Sequence, residues 1–550
     1  MRPGLASIRE PRDISVLIAG GGINGVGLLR ELALQGVDAL LVEKSDFCAG
    51  TSGAMTRVIH GGLRYLENAE FRLVREALHE RNRLLRNAPH YVKPLPTTIP
   101  IFSWTSGIIP AIRNFLGSPA KPGDRGAILI ETGLTLYDLL AGRASPLPRH
   151  RFRFGRAARA LRPALNPEVI CTATYYDARI THPERLCLEL VQDAEAAHPG
   201  ARALNYVRLQ KAAGDTVVLC DELTGETCEV KPRIVVNATG AWIDGTNCSL
   251  GRKSRFIGGT KGSHIVLDHP GLAAAVGEEM IYFVNRDGRI CIFYGVAGKV
   301  IAGATDIPTE DPEAVCDEGE TAYLLEAMRL AFPSIRVDRG HIVFRFCGVR
   351  PLPRSNALTP GQISRDHSFP VLPPGNGADF PIYSLVGGKW TTFRALSEQV
   401  ADALLRVLGR PRIRSSAELP IGGGRDYPRL REHARLSPQR LATLLERYGT
   451  GADRVADHLL AGPDEPLARH GGYSRREIEF IARNERVVHL DDLILRRTLM
   501  GILGEVSLPL LQELAEIASP ALGWSQHAAK AEVEQTTELL RRVHGVTLAR

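Results

Sequence analysis

The chain has 550 residues, 44% apolar and 23% charged, a globular composition that excludes fibrous and intrinsically disordered classes. The formal net charge of +7 is small for this length and the basic residues are interspersed with acids, so nucleic acid is not an expected partner, while anionic small molecules and lipid headgroups stay open. Nine cysteines, an odd number with neither a C-x-x-C nor a zinc spacing, argue for a reducing compartment, no redox disulfide and no metal site.

Residues 14–19 form an apolar run that reads as a buried parallel strand. Gly20, Gly22 and Gly25 then supply G-x-G-x-x-G where that strand must turn into a helix. The first glycine allows the turn, the second lets backbone N–H groups approach a pyrophosphate, and the third lets helix and strand pack closely. The anionic ligand then sits on a helix N-terminus. Glu43 ends the next strand, 18 residues past Gly25, where a carboxylate can accept from ribose hydroxyls. A signal peptide explains these residues less well, because Asn24 and five glycines interrupt the run. No stretch reaches the roughly 18 continuous apolar residues of a membrane span.

Phe71, Val74, Leu78 and Leu85 predict an amphipathic helix over 70–87. Residues 91–150, rich in proline and glycine, read as a loop-rich excursion, followed by short strands and a helix at 183–196. The strand over 231–240 ends in N-A-T-G, where a nucleotide-binding sheet returns to its ligand. Four β-like runs within 261–345 predict an inserted antiparallel sheet. Residues 382–405 form a second strand–glycine–helix element, through Gly387-Gly388-Lys389, that brings another helix N-terminus to the cofactor. Residues 422–424 read as a linker. Beyond it the pattern is helical: Ser437-Pro438 caps a helix with a Leu441, Leu444, Leu445, Tyr448 stripe, and Ser474 with Glu477 predicts a capping box.

Two glycine turns far apart and an inserted β domain suit one extended cofactor, FAD, better than NAD. These features and residues 51–76 (T-S-G-A-M-T-R-V-I-H-G-G-L-R-Y-L-E onward) resemble the FAD-dependent, aerobic, quinone-linked glycerol-3-phosphate dehydrogenases. N-A-T-G-A-W-I-D (237–244), K-G-S-H-I-V (261–266), G-A-T-D (303–306), G-V-R-P-L (348–352), S-R-D (364–366) and G-G-K-W-T-T-F-R (387–394) carry the same resemblance. D-D-L-I-L-R-R-T (491–498) resembles that family's C-terminal helical domain.

The resemblance implies an α/β fold: a Rossmann-type FAD-binding domain with an inserted antiparallel β substrate domain, as in D-amino-acid oxidase, plus a C-terminal α-helical domain. The oxidoreductase part spans 13–410, with FAD binding over about 13–90, 160–260 and 346–410 and substrate binding over about 91–159 and 261–345; the helical domain spans 425–550. The implied activity is oxidation of sn-glycerol 3-phosphate to dihydroxyacetone phosphate. Oxidising a secondary alcohol needs a base, an anion clamp and a dry flavin face. His264 is the candidate base, with a buried structural histidine as the alternative. Arg350 and Lys389 are the candidate anion-binding and catalytic cations. Arg64 and Tyr65 complete the phosphate site, with Arg365 and Asp306 as supporting partners or, alternatively, a surface ion pair. Cofactor contacts are implied at Gly20, Gly22, Asn24, Gly25, Glu43, Thr51, Ser52, His60, Gly61, Gly62, Thr239, Gly240, Gly388, Lys389, Thr391 and Thr392.

The chain departs from the family at Gly53-Ala54-Met55-Thr56-Arg57, at Trp390 where leucine is usual, and in a longer, more apolar 102–126, which leaves another polyol phosphate, such as a tetritol phosphate, as an alternative substrate. An amine or amino-acid oxidase of the same fold and a non-enzymatic flavin-carrying RNA-modification or binding partner are further alternatives. Expected partners are the phosphorylated substrate, a quinone or other electron acceptor and a membrane surface; a homodimer stays open. The apolar segment 99–116 is read as a contact with the inner face of the cell membrane, its alternative being a covered internal loop, and the location is otherwise cytoplasmic.

Overall fold

A computed structural model describes residues 5–8, 12–68, 70–107, 125–142, 145–355, 366–431 and 435–548. The apolar run becomes the strand Arg12–Ala19, in which Val16, Leu17 and Ile18 are fully buried because both faces of a parallel sheet are covered. Neighbouring strands run in the order Val371–Leu372, Ile382–Ser384, Thr227–Asn237, Arg12–Ala19, Ala39–Glu43 and Ala201–Asn205; the first of these five pairings is antiparallel and the other four are parallel. The helices Ile23–Ala33, Pro183–Ala197 and Phe393–Leu408 bury their apolar faces in one core with this sheet.

The second sheet holds the expected strands, as Thr260–Leu267, Met280–Val284, Ile290–Val296 and Lys299–Gly303, paired antiparallel. It is larger than the sequence suggests. Val92–Ile101, expected as loop, is a strand along Cys171–Ile180 and pairs parallel with Met280–Val284. Its Pro94, Pro96 and Pro100 alternate, so the missing N–H groups fall on one edge and the other edge keeps its ladder. Cys171–Ile180, which lies in a stretch read as cofactor-binding, belongs to this sheet, as does Ile342–Arg350 beside Thr260–Leu267.

Residues 422–424 are a packed turn, not an open linker. A Cβ on Gly423 would stand 2.2 Å from the Tyr448 carbonyl oxygen, and one on Gly449 would stand 2.2 Å from that of Gly423. Beyond it lie the helices Pro438–Tyr448, Ala452–Leu460, Arg475–Asn484, Leu508–Leu522 and Gln526–His544, with a small hairpin of Pro466–Leu467 and His470–Ser474. Ser437 caps its helix by accepting from the Arg440 N–H at 3.2 Å. The Ser474 capping box does not form. Arg440 donates instead to Ser474 Oγ and to Glu477, both at 2.8 Å, because a buried carboxylate gains more from a guanidinium than from a backbone N–H. Among the described residues no helix is long and apolar enough to cross a membrane.

Candidate active site

One cavity of about 820 Å³ runs from the parallel sheet to the second sheet. At one end it is lined by Gly20, Gly22, Asn24, Glu43, Thr239 and Gly240. A Cβ at Gly25 would lie 1.9 Å from the Gly20 carbonyl oxygen, so this glycine serves helix–strand packing and does not line the cavity. Gly22 precedes the helix Ile23–Ala33, and a Cβ there would meet only Ser52 within 4 Å. Glu43 accepts from the N–H groups of Gly21 (2.6 Å) and Ser45 (2.9 Å); burial raises its pKa against those bonds. Lys44, not singled out from sequence, sits 4.6 Å from the Trp242 ring at this end.

Thr51, Ser52, His60, Gly62, Gly388 and Thr391 line the middle. Ser52 Oγ accepts from the Ile23 N–H at 3.0 Å, and Trp390 donates its indole N–H to the Ser52 carbonyl at 2.9 Å, so its bulk is spent bracing the loop. Gly61 does not line the cavity. Its N–H donates to Asp177 at 2.8 Å, and a Cβ would collide with the Tyr137 hydroxyl at 1.9 Å. Asp177 also holds Arg81, Tyr137 and His60, a buried support with no local sequence signal. Thr392 likewise lies outside the lining, its buried hydroxyl without a hydrogen-bond partner among the described residues.

Tyr65, His264, Asp306, Arg350 and Lys389 also line the cavity. Arg350 donates to Asp306 Oδ1 at 3.1 Å and to the Thr305 carbonyl at 3.3 Å, so Asp306 braces Arg350. Lys389 Nζ lies 4.0 Å from the Tyr65 ring and is buried without a hydrogen-bond acceptor among the described residues. The Arg64 side chain and Arg365 lie outside the described residues. Two glycines make room for the chemistry: a Cβ at Gly262 would fall 2.1 Å from Arg350 Nη2, and one at Gly303 would fall 2.0 Å from His264 Cδ2. Each sits in a quoted motif, K-G-S-H and G-A-T-D, but the partner each accommodates lies on a neighbouring strand.

His264 is 2% exposed, stacks on Phe346 at 4.7 Å and shares a 2.8 Å hydrogen bond between Nε2 and the Thr56 hydroxyl. Burial, with the nearby Arg350 charge, pushes its pKa down to about 3. It is therefore neutral at pH 7 and able to accept a proton, with a strong tendency to give it up again. A folded pKa below the unfolded value means that its stabilisation is whole above about pH 6.5 and is lost as pH falls toward 3. The melting temperature is expected to fall as pH drops from 7 to 4, and less steeply for His264→Asn; equal slopes would show that His264 does not carry this linkage.

The cavity fits FAD. A glycine cradle at a helix N-terminus suits a pyrophosphate, and Asn24 Oδ1 and Lys389 Nζ, which belong to cavity-lining residues, are buried and unpartnered among the described residues, as polar atoms that await a ligand are. Residues 15–370 match the family described as FAD dependent oxidoreductase, and residues 414–529 match the C-terminal domain of alpha-glycerophosphate oxidase. The chain is 32% identical to a glycerol-3-phosphate dehydrogenase of Synechocystis sp. over 96% of both chains. It is 31% identical to a D-erythritol 1-phosphate dehydrogenase of Brucella abortus over 89% of this chain and 95% of that one. The fold matches that of the glycerol-3-phosphate dehydrogenase from Bacillus halodurans complexed with FAD, with a TM-score of 0.71 at 21% identity over 97% of this chain and 96% of that one. The chain thus belongs to the FAD-dependent oxidoreductases, in the glycerol-3-phosphate dehydrogenase branch that carries the C-terminal domain of alpha-glycerophosphate oxidase, and FAD is its cofactor.

Proposed function

We propose that the protein oxidises sn-glycerol 3-phosphate to dihydroxyacetone phosphate. The observation that carries this reading is the pair of cations, Arg350 and Lys389, lining the same cavity as His264, with Lys389 lacking an acceptor among the described residues. A dianionic phosphate satisfies both, whereas the carboxylate of an amino acid supplies half the charge and leaves the amine facing cations. Arg350, held by Asp306, presents a planar fork to two phosphate oxygens while Lys389 adds a point charge. His264 accepts the hydroxyl proton of the substrate, and the Thr56 hydroxyl fixes its ring. Bound FAD supplies the acceptor for the hydride that leaves the carbinol carbon. The test is anaerobic bleaching of the flavin with sn-glycerol 3-phosphate, a tetritol phosphate and a panel of amino acids. Fastest bleaching by sn-glycerol 3-phosphate is expected; a preference for the tetritol phosphate would favour the activity named for the Brucella relative, and bleaching by amino acids alone would overturn the phosphate reading.

We also propose that the protein docks on a membrane surface and passes its electrons to a quinone there. Ile99 and Ile101 of the segment 99–116 are buried, so they take no part, and residues 108–116 lie outside the described residues. Trp104, 55% exposed, stacks at 5.9 Å on Phe154, 53% exposed, and Arg151 and Arg156, near Phe154 in sequence, are exposed. Exposed aromatics flanked by arginines suit an anionic bilayer interface. Trp104→Ser with Phe154→Ser is expected to move the protein from sedimented anionic liposomes to the supernatant while activity with a soluble dye is kept. A wild-type protein that does not sediment with liposomes would overturn this and favour a soluble acceptor.

A further inference from the structure

The loop 44–57, between the strand Ala39–Glu43 and the strand Val58–Ile59, lines the cavity along most of its length from Lys44 to Thr56. It carries one acid, Asp46, which is fully buried and does not line the cavity. Asn205 Nδ2, at the end of the strand Ala201–Asn205, donates to Asp46 Oδ1 at 3.2 Å, and the charged partners of Asp46 come from 450 residues away. Arg497 grips it with two bonds, Nη1 to Oδ2 at 2.7 Å and Nη2 to Oδ1 at 2.9 Å, and Arg496 Nε adds a third to Oδ2 at 2.7 Å. Burial works to raise the Asp46 pKa, and the two guanidiniums outweigh it and hold the carboxyl below its ordinary value.

The grip is itself anchored. Arg497 donates Nε–H to the Glu485 carbonyl at 2.8 Å, and its own carbonyl accepts from Arg185 at 3.0 Å. Arg496 is held by Asp491 at 2.7 Å and by Asp492, whose carboxylate also accepts from the Tyr206 hydroxyl at 2.6 Å. The two consecutive arginines that reach this carboxylate end the segment Leu493–Arg497, which is wound as a wide π turn, an arrangement frequent at functional positions. The far end of the loop is fixed as well: buried Arg57 pairs with Glu184 at 2.7 Å, next in sequence to the Arg185 that binds Glu485 at 2.6 and 2.8 Å.

We propose that the C-terminal helical domain is an arm of the cofactor site: Arg496 and Arg497 act as positioning residues that, through Asp46, set loop 44–57 against FAD. This rests on the assignment of that loop to the FAD cavity. Buried ion pairs are costly to desolvate and an apolar contact of equal volume would stabilise domain packing as well, so their use here fits a need for fixed register. The loop has reason to be held, since between Asp46 and Thr56 it caps the first helix through Ser52, reaches the strand that carries Arg350 through Thr51 (2.7 Å to the Val349 carbonyl) and bonds His264 through Thr56.

The experiment follows FAD release from the full-length holoenzyme by the rise in free-flavin fluorescence, together with the visible flavin spectrum. The variants are Arg497→Gln, Arg497→Lys and Asp46→Asn. His544→Ala serves as a control, because it removes a different contact of the C-terminal domain, the stacking on Phe344 at 4.2 Å and the bond to the Arg345 carbonyl at 2.8 Å. Arg497→Gln and Asp46→Asn are expected to release FAD about tenfold faster or more, with an altered flavin band, as supporting partners of bound groups do elsewhere. Arg497→Lys, which keeps the charge and loses the second bond, is expected to fall between them and the wild type. His544→Ala is expected to melt earlier yet release FAD at the wild-type rate. Wild-type release from Arg497→Lys and Asp46→Asn would overturn the proposal even if Arg497→Gln failed to fold, as would equal acceleration by His544→Ala. Faster release from the Asp46 and Arg497 variants alongside undiminished FAD binding by Gly22→Val would instead overturn the placement of the cofactor in this cavity.

Discussion

A Gly22→Val protein is expected to fold and to purify without colour. Gly22 precedes the helix Ile23–Ala33 with extended backbone at φ −74°, a conformation open to valine, and a Cβ there meets only the Ser52 side chain, at 3.0 Å from its oxygen. The added methyls therefore enter the cavity at the helix N-terminus, where backbone N–H groups must approach the pyrophosphate. Gly25→Val gives the contrasting outcome. Its Cβ would stand 1.9 Å from the Gly20 carbonyl oxygen, so helix and strand must separate and soluble protein is expected to be lost. Circular dichroism, the visible spectrum and chromatography of the cofactor released on denaturation separate the two cases. A yellow Gly22→Val protein that retains FAD would remove Gly22 from the cofactor site.

Arg350→Ala is expected to raise KM for the phosphorylated substrate and to lower kcat as well, because binding energy from the phosphate positions the carbinol carbon. Losing one charged hydrogen-bonding partner costs roughly 1.5–3 kcal/mol, about 10- to 150-fold in kcat/KM. The substitution also leaves Asp306 without the 3.1 Å bond from Arg350, placing a less compensated negative charge beside an anionic substrate. Arg350→Lys is expected to recover only part of the loss, since a point charge cannot replace the fork braced between Asp306 and the Thr305 carbonyl. Unchanged steady-state kinetics in both variants would remove Arg350 from the substrate site.

The first βαβ unit, the N-A-T-G and G-G-K returns and the helical character of the C-terminal part are legible in the sequence. Each of these is a local requirement: a period of hydrophobicity, a turn at Gly20, Gly387 and Gly388 that needs positive φ, or a cap at Ser437. Resemblance of short motifs supplied the names of Arg350, His264 and Lys389, and the fold brings all three to the lining of one cavity.

How these residues are held emerges from packing between segments far apart in the chain. Gly262 and Gly303 look like ordinary strand glycines until the register sets them against Arg350 and His264. The prolines of Val92–Ile101 suggest a loop until their missing N–H groups are found on one edge while the other keeps its full ladder with Cys171–Ile180. Ser474 and Glu477 satisfy the capping-box spacing, yet Arg440, more than thirty residues earlier, takes both side chains. Asp46 reads as a loop acid until Arg496 and Arg497 arrive from the other end of the chain. The physical reason is common to all four. Local signals report what a segment needs of its own backbone, whereas burial of a charge, a missing Cβ or a missing N–H takes its meaning from a partner whose distance in sequence carries no periodicity to read.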